Sequence, residues 1–271
     1  MAPPILTAVV NPPPNANGWY SANVTASWAA VDALSGVSTV SAPITVTAEG
    51  SGQVVTGSAT DLAENLTSGS VTINLDKTSP EAFIQFDPGS RDVVLLGRDS
   101  LSGVVPGPVT PISVQAVDDR TADNHDCDRE HDGDDRQRRD DNDHRIELRT
   151  YKVLDLAGNS LVLVEEVRKL EQKITVDLVS IQDNGGTVVN LLRNEETFEW
   201  NFDKDAALRE LHQTLTESNG KDSQRWDVEY ESRRGTTIIE RESPKPEQKI
   251  IVPGLDLLRT VTSKGQLLIE H

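Results

Sequence analysis

Apolar and polar residues alternate in short runs through the first 75 residues of the chain. Val24, Ala26 and Trp28 occupy every second position in one such run, and each run ends in a cluster of Gly, Pro, Asn or Asp. The runs recur at a spacing of about ten residues and carry no helical period. Short strands separated by frequent turns are typical of an antiparallel sandwich. The pattern therefore predicts an all-β fold for this region.

Three short motifs occur twice, in the same order, which predicts tandem copies of one unit. The pairs are residues 32–37 with 99–104, residues 43–48 with 111–116, and residues 61–65 with 155–159. Asp and Asn side chains accept hydrogen bonds from nearby backbone amides and tolerate left-handed conformations. We therefore interpret Asp61 and Asp155 as turn residues, with metal ligation by the same carboxylates as the alternative.

The motifs resemble the tandem immunoglobulin-like domains of bacterial secreted and cell-surface proteins. The resemblance lies in Asp-x-x-Ser-Gly-Val, followed by Asp-Leu-Ala-Gly-Asn and an apolar strand. The Asp-Lys-Thr-Ser-Pro sequence of residues 76–80, here called the joint, is similar to the link between such repeats. The resemblance implies two β-sandwiches, residues 1–78 (the first module) and 79–170 (the second module). It also implies a spacer, an adhesin segment or a carbohydrate-adjacent role.

The second module carries an acidic insert at about residues 119–145. Ala48 and Asp61 are 13 positions apart, whereas the matching Ala116 and Asp155 are 39 apart, so about 26 residues are extra. Residues 118–145 hold eleven Asp, one Glu, six Arg, three His and the only Cys. Such a segment lacks the apolar surface needed to fold by itself, so we expect a solvated loop tethered at both ends.

The insert is also the first candidate for a metal site. Alternate carboxylates at this spacing, followed by a glycine, can converge on Ca²⁺. The predicted ligands are Asp126, Asp128, Glu130, Asp132 and Asp134. Arg139 stands at the twelfth position, where a complete helix-loop-helix site needs Glu, so we predict a looser site. A solvated loop of mixed charge and a docking segment for a charged protein are the alternatives.

A transition-metal site in the insert is not predicted. His125, Cys127, His131 and His144 are candidate ligands, but they lack the paired spacings that fix zinc. Cys127 lies among carboxylates, which raise the pKa of a thiol, so we do not expect it to be a nucleophile.

Residues 171–271 are predicted to form a β-rich C-terminal domain of no recognised family, with one short helix. The helix would begin at Asp203 or Asp205 and end at Glu217, with leucines 208, 211 and 215 on one side. Phe198, Trp200 and Phe202 alternate along a predicted strand. We interpret them as core residues, with a sugar-stacking platform as the alternative.

Charge and motif content restrict the function. A net charge of −18 and a pI near 4.6 argue against binding to nucleic acid or to an anionic membrane surface. No apolar run is long enough for a membrane span, and residues 1–4 do not begin a signal peptide. The chain contains no nucleophile-elbow, phosphate-loop or dinucleotide motif. We therefore expect a protein without catalytic activity.

The predicted function is that of an extracellular or cell-surface protein with a structural or adhesive role, stabilised by Ca²⁺, whose signal peptide has been removed. Copies of itself, other surface proteins or polysaccharide are the expected partners. The alternatives are an accessory carbohydrate-binding region of a larger secreted enzyme and, third, an enzyme domain at residues 174–271.

Overall fold

In the part of the chain that the structure describes, the regular structure consists of strands. The computed structural model describes residues 2–117, 145–186, 188–190, 193–218, 223–243, 248–255, 257–263 and 266–270. The first module contains β1 Ile5–Asn11, β2 Val24–Val31, β3 Val37–Val40, β4 Ile44–Val46, β5 Gly50–Asp61 and β6 Leu66–Leu75. The second module contains β7 Glu81–Asp87, β8 Asp92–Arg98, β9 Pro108–Val109, β10 Ser113–Val117, β11 Arg145–Leu154 and β12 Ser160–Leu170. The remaining strands are β13 Lys173–Asp183, β14 Val189–Asn190, β15 Arg193–Phe202, β16 Leu208–Ser218, β17 Ser223–Glu231, β18 Thr236–Ser243, β19 Gln248–Pro253, β20 Arg259–Ser263 and β21 Gln266–Glu270. The all-β prediction is confirmed for the described residues.

The first module consists of two three-stranded sheets that share one core. One sheet has the order β1-β2-β4 and the other β3-β5-β6. Inward residues of β2, β5 and β6 form the core together with Tyr20 from the segment before β2; the core consists of Tyr20, Val24, Ala26, Val55, Ile73 and Leu75. Trp28 lies so close to β5 that a Cβ atom on Gly57 would come within 2.1 Å of the indole ring, so this packing needs glycine.

One long sheet runs from the second module into the C-terminal residues. Its order is β10-β11-β12-β13-β15-β16-β17-β18-β19, with β14 paired to β13. The hairpin between β12 and β13 pairs Leu170 with Lys173, so hydrogen bonding continues across the predicted domain boundary at residue 170. The division of the chain into domains at that point stays a prediction.

A second sheet covers the central part of the long one. It has the order β21-β20-β7-β8-β9, and β20 pairs with β7. Phe86 on β7 stacks on Phe198 and Trp200 of β15, with ring centroids 5.4 and 4.9 Å apart. Phe198 and Trp200 are both buried. The interpretation of these two aromatics as core residues is therefore confirmed.

The predicted helix ending at Glu217 is wrong, because these residues form strand β16. Alternate residues of β16, Leu211, Gln213 and Leu215, are buried against the core. Leu211 and Leu215, four positions apart, fit both a helix and a strand, whereas Leu208 reaches the core side only across the irregularity in the pairing of β15 with β16. Asp203 does bond to backbone amides, but it closes a turn by accepting from Asp205 N and Ala207 N at 2.9 and 3.0 Å. Within the described residues no helix has the length and apolar content to span a membrane.

Candidate functional site at the joint between the modules

The repeated Asp-x-x-Ser-Gly-Val motif forms the same tight turn in both modules. In each copy one oxygen, Oδ1, of the aspartate accepts hydrogen bonds from three successive amides. For Asp32 these are Leu34, Ser35 and Gly36 at 3.1, 2.7 and 2.8 Å. For Asp99 they are Leu101, Ser102 and Gly103 at 2.9, 2.8 and 2.9 Å. Each turn ends in a glycine with positive φ, at 82° and 80° respectively, which explains why glycine stands there.

The Asp-Leu-Ala-x-Asn motif closes a hairpin next to that turn. Asp61 accepts from the backbone and side-chain nitrogens of Asn65, both at 2.8 Å, and Asp155 accepts likewise from Asn159. The two motifs also bond to each other, because Leu156 N donates to Gly103 O at 2.8 Å, as the equivalent groups do in the first module. The prediction that these aspartates are turn residues is confirmed.

Asp76, the first residue of the joint, is completely buried and bonds to both modules. On the first-module side its amide donates to Tyr20 O at 2.9 Å. On the second-module side its Oδ2 accepts from Ser102 N at 3.1 Å, and its backbone oxygen accepts from Asn159 Nδ2 at 3.0 Å. One residue thus connects the β6 end of the first module to both repeated motifs of the second.

Further polar contacts cross the same boundary. Asn15 Nδ2 and Asn17 Nδ2, from the first module, both donate to Leu156 O, at 2.9 and 3.0 Å. On another side, Asn184 Nδ2 of the turn after β13 donates to Lys77 O at 3.0 Å. Contacts from several directions restrain bending at the joint.

Three carboxylates meet at this boundary. Asp76, Asp99 and Asp155 each place an oxygen within 4.8 Å of the others. Asp76 and Asp155 are buried, and Asp99 is half-buried. Among the described residues no cationic side chain pairs with them. The nearest lysine in sequence, Lys77, donates instead to Thr47 O at 2.7 Å.

The pKa of the aspartate that closes the hairpin shifts in opposite directions in the two modules. In the first module, hydrogen bonds from Asn65 lower the pKa of Asp61, and hydrogen bonds led by the Gly36 amide lower the pKa of Asp32. In the second module, burial raises the pKa of Asp155, and the negative charge of Asp76 adds to that rise. Without a cation, burial and the neighbouring carboxylate of Asp76 therefore disfavour ionisation of Asp155.

The donor set at the joint suits a hard divalent cation. Asp99 uses only Oδ1 for its turn, and no described residue donates to its Oδ2. Carboxylate oxygens that share one Ca²⁺ at about 2.4 Å lie no more than about 4.8 Å apart, as these three do. Within the described part of the chain, Ser79 of the same joint has a buried hydroxyl with no hydrogen-bond partner.

The residues predicted to bind metal and those that come together are different sets. The predicted ligands Asp126, Asp128, Glu130, Asp132 and Asp134 lie outside the described residues. The sequence predicts a turn role for Asp155, with metal ligation only as the alternative. It does not predict Asp76 or Asp99 as ligands, because their proximity depends on how the two modules pack. One indication of this site is visible in the sequence: Asp76 is an aspartate at the first position of the joint.

Comparison of the chain with protein-family models, with curated proteins and with solved structures finds no match.

Proposed function

We propose that the protein is a non-catalytic structural or adhesive component of an extracellular surface or matrix, built from two tandem immunoglobulin-like modules and a β-rich C-terminal region. The observation that carries this proposal is the joint, where buried Asp76 bonds to both modules. A loosely linked pair of domains normally meets through an exposed, flexible linker. A bonded and buried joint instead suits a spacer that keeps its shape.

The proposal includes Ca²⁺ as the cation of the joint. The support is the convergence of Asp76, Asp99 and Asp155, the absence of a cationic side chain paired with them among the described residues, and the unused Oδ2 of Asp99. The first module offers a natural comparison, because Asp32 and Asp61 form no group of three acidic ligands within the described residues. Extracellular fluids contain enough Ca²⁺ to fill weak sites of this kind.

The alternative, a carbohydrate-binding region, would need Phe198, Trp200 and Phe202 to be exposed as a platform for sugar rings. Phe198 and Trp200 are buried and stack on Phe86. Phe202 is partly buried and lies under the Arg91 guanidinium, 4.5 Å from the ring centroid.

A rigid joint predicts a fixed shape in solution. We expect small-angle X-ray scattering of the wild type to fit a single rigid body. Asp76→Ala removes the side-chain bonds to Thr78 N and Ser102 N, at 3.0 and 3.1 Å, so its scattering should require a broader ensemble of joint angles. Asp32→Ala removes a similar turn inside the first module and serves as the control. A wild type that scatters as two freely moving bodies contradicts the structural proposal.

Ca²⁺ binding at the joint predicts a gain in thermal stability. A ligand that binds only the folded state raises the melting temperature, so about 1 mM Ca²⁺ should raise it relative to chelator. Asp99→Asn preserves a carbonyl oxygen for the turn but replaces the unused carboxylate oxygen by an amide, and should abolish the gain. The measurement is differential scanning calorimetry in Ca²⁺ and in chelator.

Asp32→Asn is the matched control for that experiment, because it makes the same chemical change in the module that lacks a third carboxylate. It should keep the full Ca²⁺ effect. A gain of equal size in the Asp99→Asn and Asp32→Asn variants would place the ion elsewhere and refute a joint site.

A further inference from the structure

The two repeated motifs of each module come together at one of its ends, here called the motif end. In the first module it consists of residues 32–37 and 61–65, joined by the bond from Leu62 N to Gly36 O at 3.0 Å. In the second module it consists of residues 99–104 and 155–159, joined by the equivalent bond to Gly103 O. The two motif ends therefore share a local structure and can be compared residue by residue.

The motif end of the second module is covered by the first module. Ser102 N donates to Asp76 Oδ2 at 3.1 Å, and Asn159 Nδ2 donates to Asp76 O at 3.0 Å. Leu156 O accepts from two asparagine side chains of the loop between β1 and β2. A backbone amide, an asparagine side chain and a carbonyl oxygen are thus the groups that hold the neighbouring module.

The equivalent groups of the first module have no such partner among the described residues. Leu62 O accepts no hydrogen bond there, and Ser35 N donates only to Asp32. Asn65 Nδ2 donates only to Asp61, although the side-chain amide of asparagine carries two N–H donors. The first module therefore has the same three polar groups available at its motif end.

Burial at the two motif ends differs in the same direction. Leu34 and Leu62 are 73% and 70% exposed, whereas their counterparts Leu101 and Leu156 are half-buried. Three further residues are buried in the second module and half-buried in the first; the pairs are Ser102 with Ser35, Ala157 with Ala63, and Asn159 with Asn65. The first module thus leaves exposed the surface that is covered in the second.

We propose that the motif end of the first module binds another module of the same kind, one that ends in a joint like that of residues 76–80. The joint aspartate of that partner would accept from Ser35 N through its side chain and from Asn65 Nδ2 through its backbone oxygen. An asparagine of its first loop would donate to Leu62 O. The inference rests on the two-module spacer of the proposed function and names the partner of its uncovered end.

Strand register shows how such a partner connects to the first module. Ile5 pairs with Val31 and Glu81 pairs with Arg98, and in both modules the second residue of the pair directly precedes the motif aspartate. Ile5 therefore corresponds to Glu81, and Pro4 corresponds to Pro80 of the joint. An added copy of residues 1–80 placed directly before residues 5–271 reproduces the natural connection.

Small-angle X-ray scattering of this extended chain, in about 1 mM Ca²⁺, tests the proposal. We expect the data to fit a single rigid body that is longer than the unmodified chain by about one module. Asp76→Ala in the added copy removes the carboxylate that bonds to the motif end, so the scattering should require a broader ensemble of angles.

Leu62→Glu provides a matched pair of variants. In the original first module it buries a charge in the new contact and should loosen the added module. In the added copy the same change lies on an uncovered motif end, where substitution is tolerated, and should leave the scattering unchanged.

An added module that moves freely, while the unmodified chain scatters as a rigid body, would overturn this inference and leave the proposed function intact. An effect of Leu62→Glu that is the same in both copies would also overturn it, because the contact would then not use the motif end. A flexible unmodified chain would refute the proposed function and this inference together.

Discussion

Glu165→Gln should stabilise the protein at about pH 8 by about 3 kcal/mol and should have little effect near pH 4. Glu165 lies on β12 at an irregularity in the pairing of β12 with β13, and only 1% of it is exposed. Neither of its carboxylate oxygens accepts a hydrogen bond of normal geometry. Burying an unpaired charge there is costly, so the protonated form is favoured.

The charges around Glu165 only partly compensate for its burial. Burial raises the pKa of Glu165 from 4.5 to about 7, against the opposing effects of Arg149 and Tyr151, while Asp92 adds to the rise. Arg149 faces Glu165 across the strand pair, but its guanidinium bonds to Glu147 and Asp92 at 3.0 and 3.3 Å. Lys169 also contacts Asp92. The basic groups are thus engaged with other carboxylates.

The sign of the pH effect follows from these pKa values. Below pH 4.5 both the folded and the unfolded chain hold the Glu165 proton, so the group does not affect stability. Between pH 4.5 and about 7 the unfolded chain has lost the proton and the folded chain keeps it, so stability falls as pH rises. Above that interval the full penalty applies. Glutamine cannot ionise and therefore avoids the penalty.

Chemical denaturation of wild type and variant at several pH values measures this difference. Comparing the two proteins at each pH cancels the titration of groups they share, such as Asp92. Glu166→Gln, at the next position but on the outer face, should show no such trend. A constant difference between Glu165→Gln and wild type from about pH 4 to about pH 8 would show that Glu165 ionises normally in the folded state.

Phe86→Ala should lower the free energy of unfolding by about 3–5 kcal/mol, because it leaves a cavity in a packed core. Phe86 comes from the sheet that covers the long one, and it stacks on Phe198 and Trp200 of β15. The change therefore weakens contacts on both sides of the predicted boundary at residue 170. We expect the second module and the C-terminal strands to lose stability together, in one transition followed by tryptophan fluorescence and by hydrogen exchange.

Val105→Ala is the control for that variant, since Val105 is 71% exposed and should change stability by less than about 0.5 kcal/mol. Separate transitions, with β15 to β18 unaffected by Phe86→Ala, would instead support an independent C-terminal domain as predicted from the sequence.

Local chemistry was readable in the sequence because it depends on neighbouring residues. The bonds that Asp61 and Asp155 make to amides a few positions ahead need only the short motif itself. Alternation likewise placed Phe198 and Trp200 in the core. The helix prediction failed because Leu211 and Leu215 fit both periods, and because the pairing of β16 with β15 and β17, including the irregularity that brings Leu208 to the core side, depends on distant residues.

Features that depend on distant pairing could not be predicted from the sequence. Asp76, Asp99 and Asp155 meet only because the second module packs against the joint. Lys173, Glu199 and Glu229 lie on one face of the long sheet only because of the register of four strands, and a shift of one residue in a strand would turn its side chain to the other face.

The pairing of β20 with β7 gives the protein a direct route for mechanical load. β7 begins immediately after the joint, and Thr262 of β20 pairs with Ala82 near that start. β21 then returns alongside β20, with Glu270 opposite Arg259, so it ends at the far end of this three-strand group. Tension between the first module and residue 270 would therefore pull β7 and β21 apart along their length. The hydrogen bonds that each of these two strands makes to β20, which lies between them, would be loaded together in shear rather than opened one at a time.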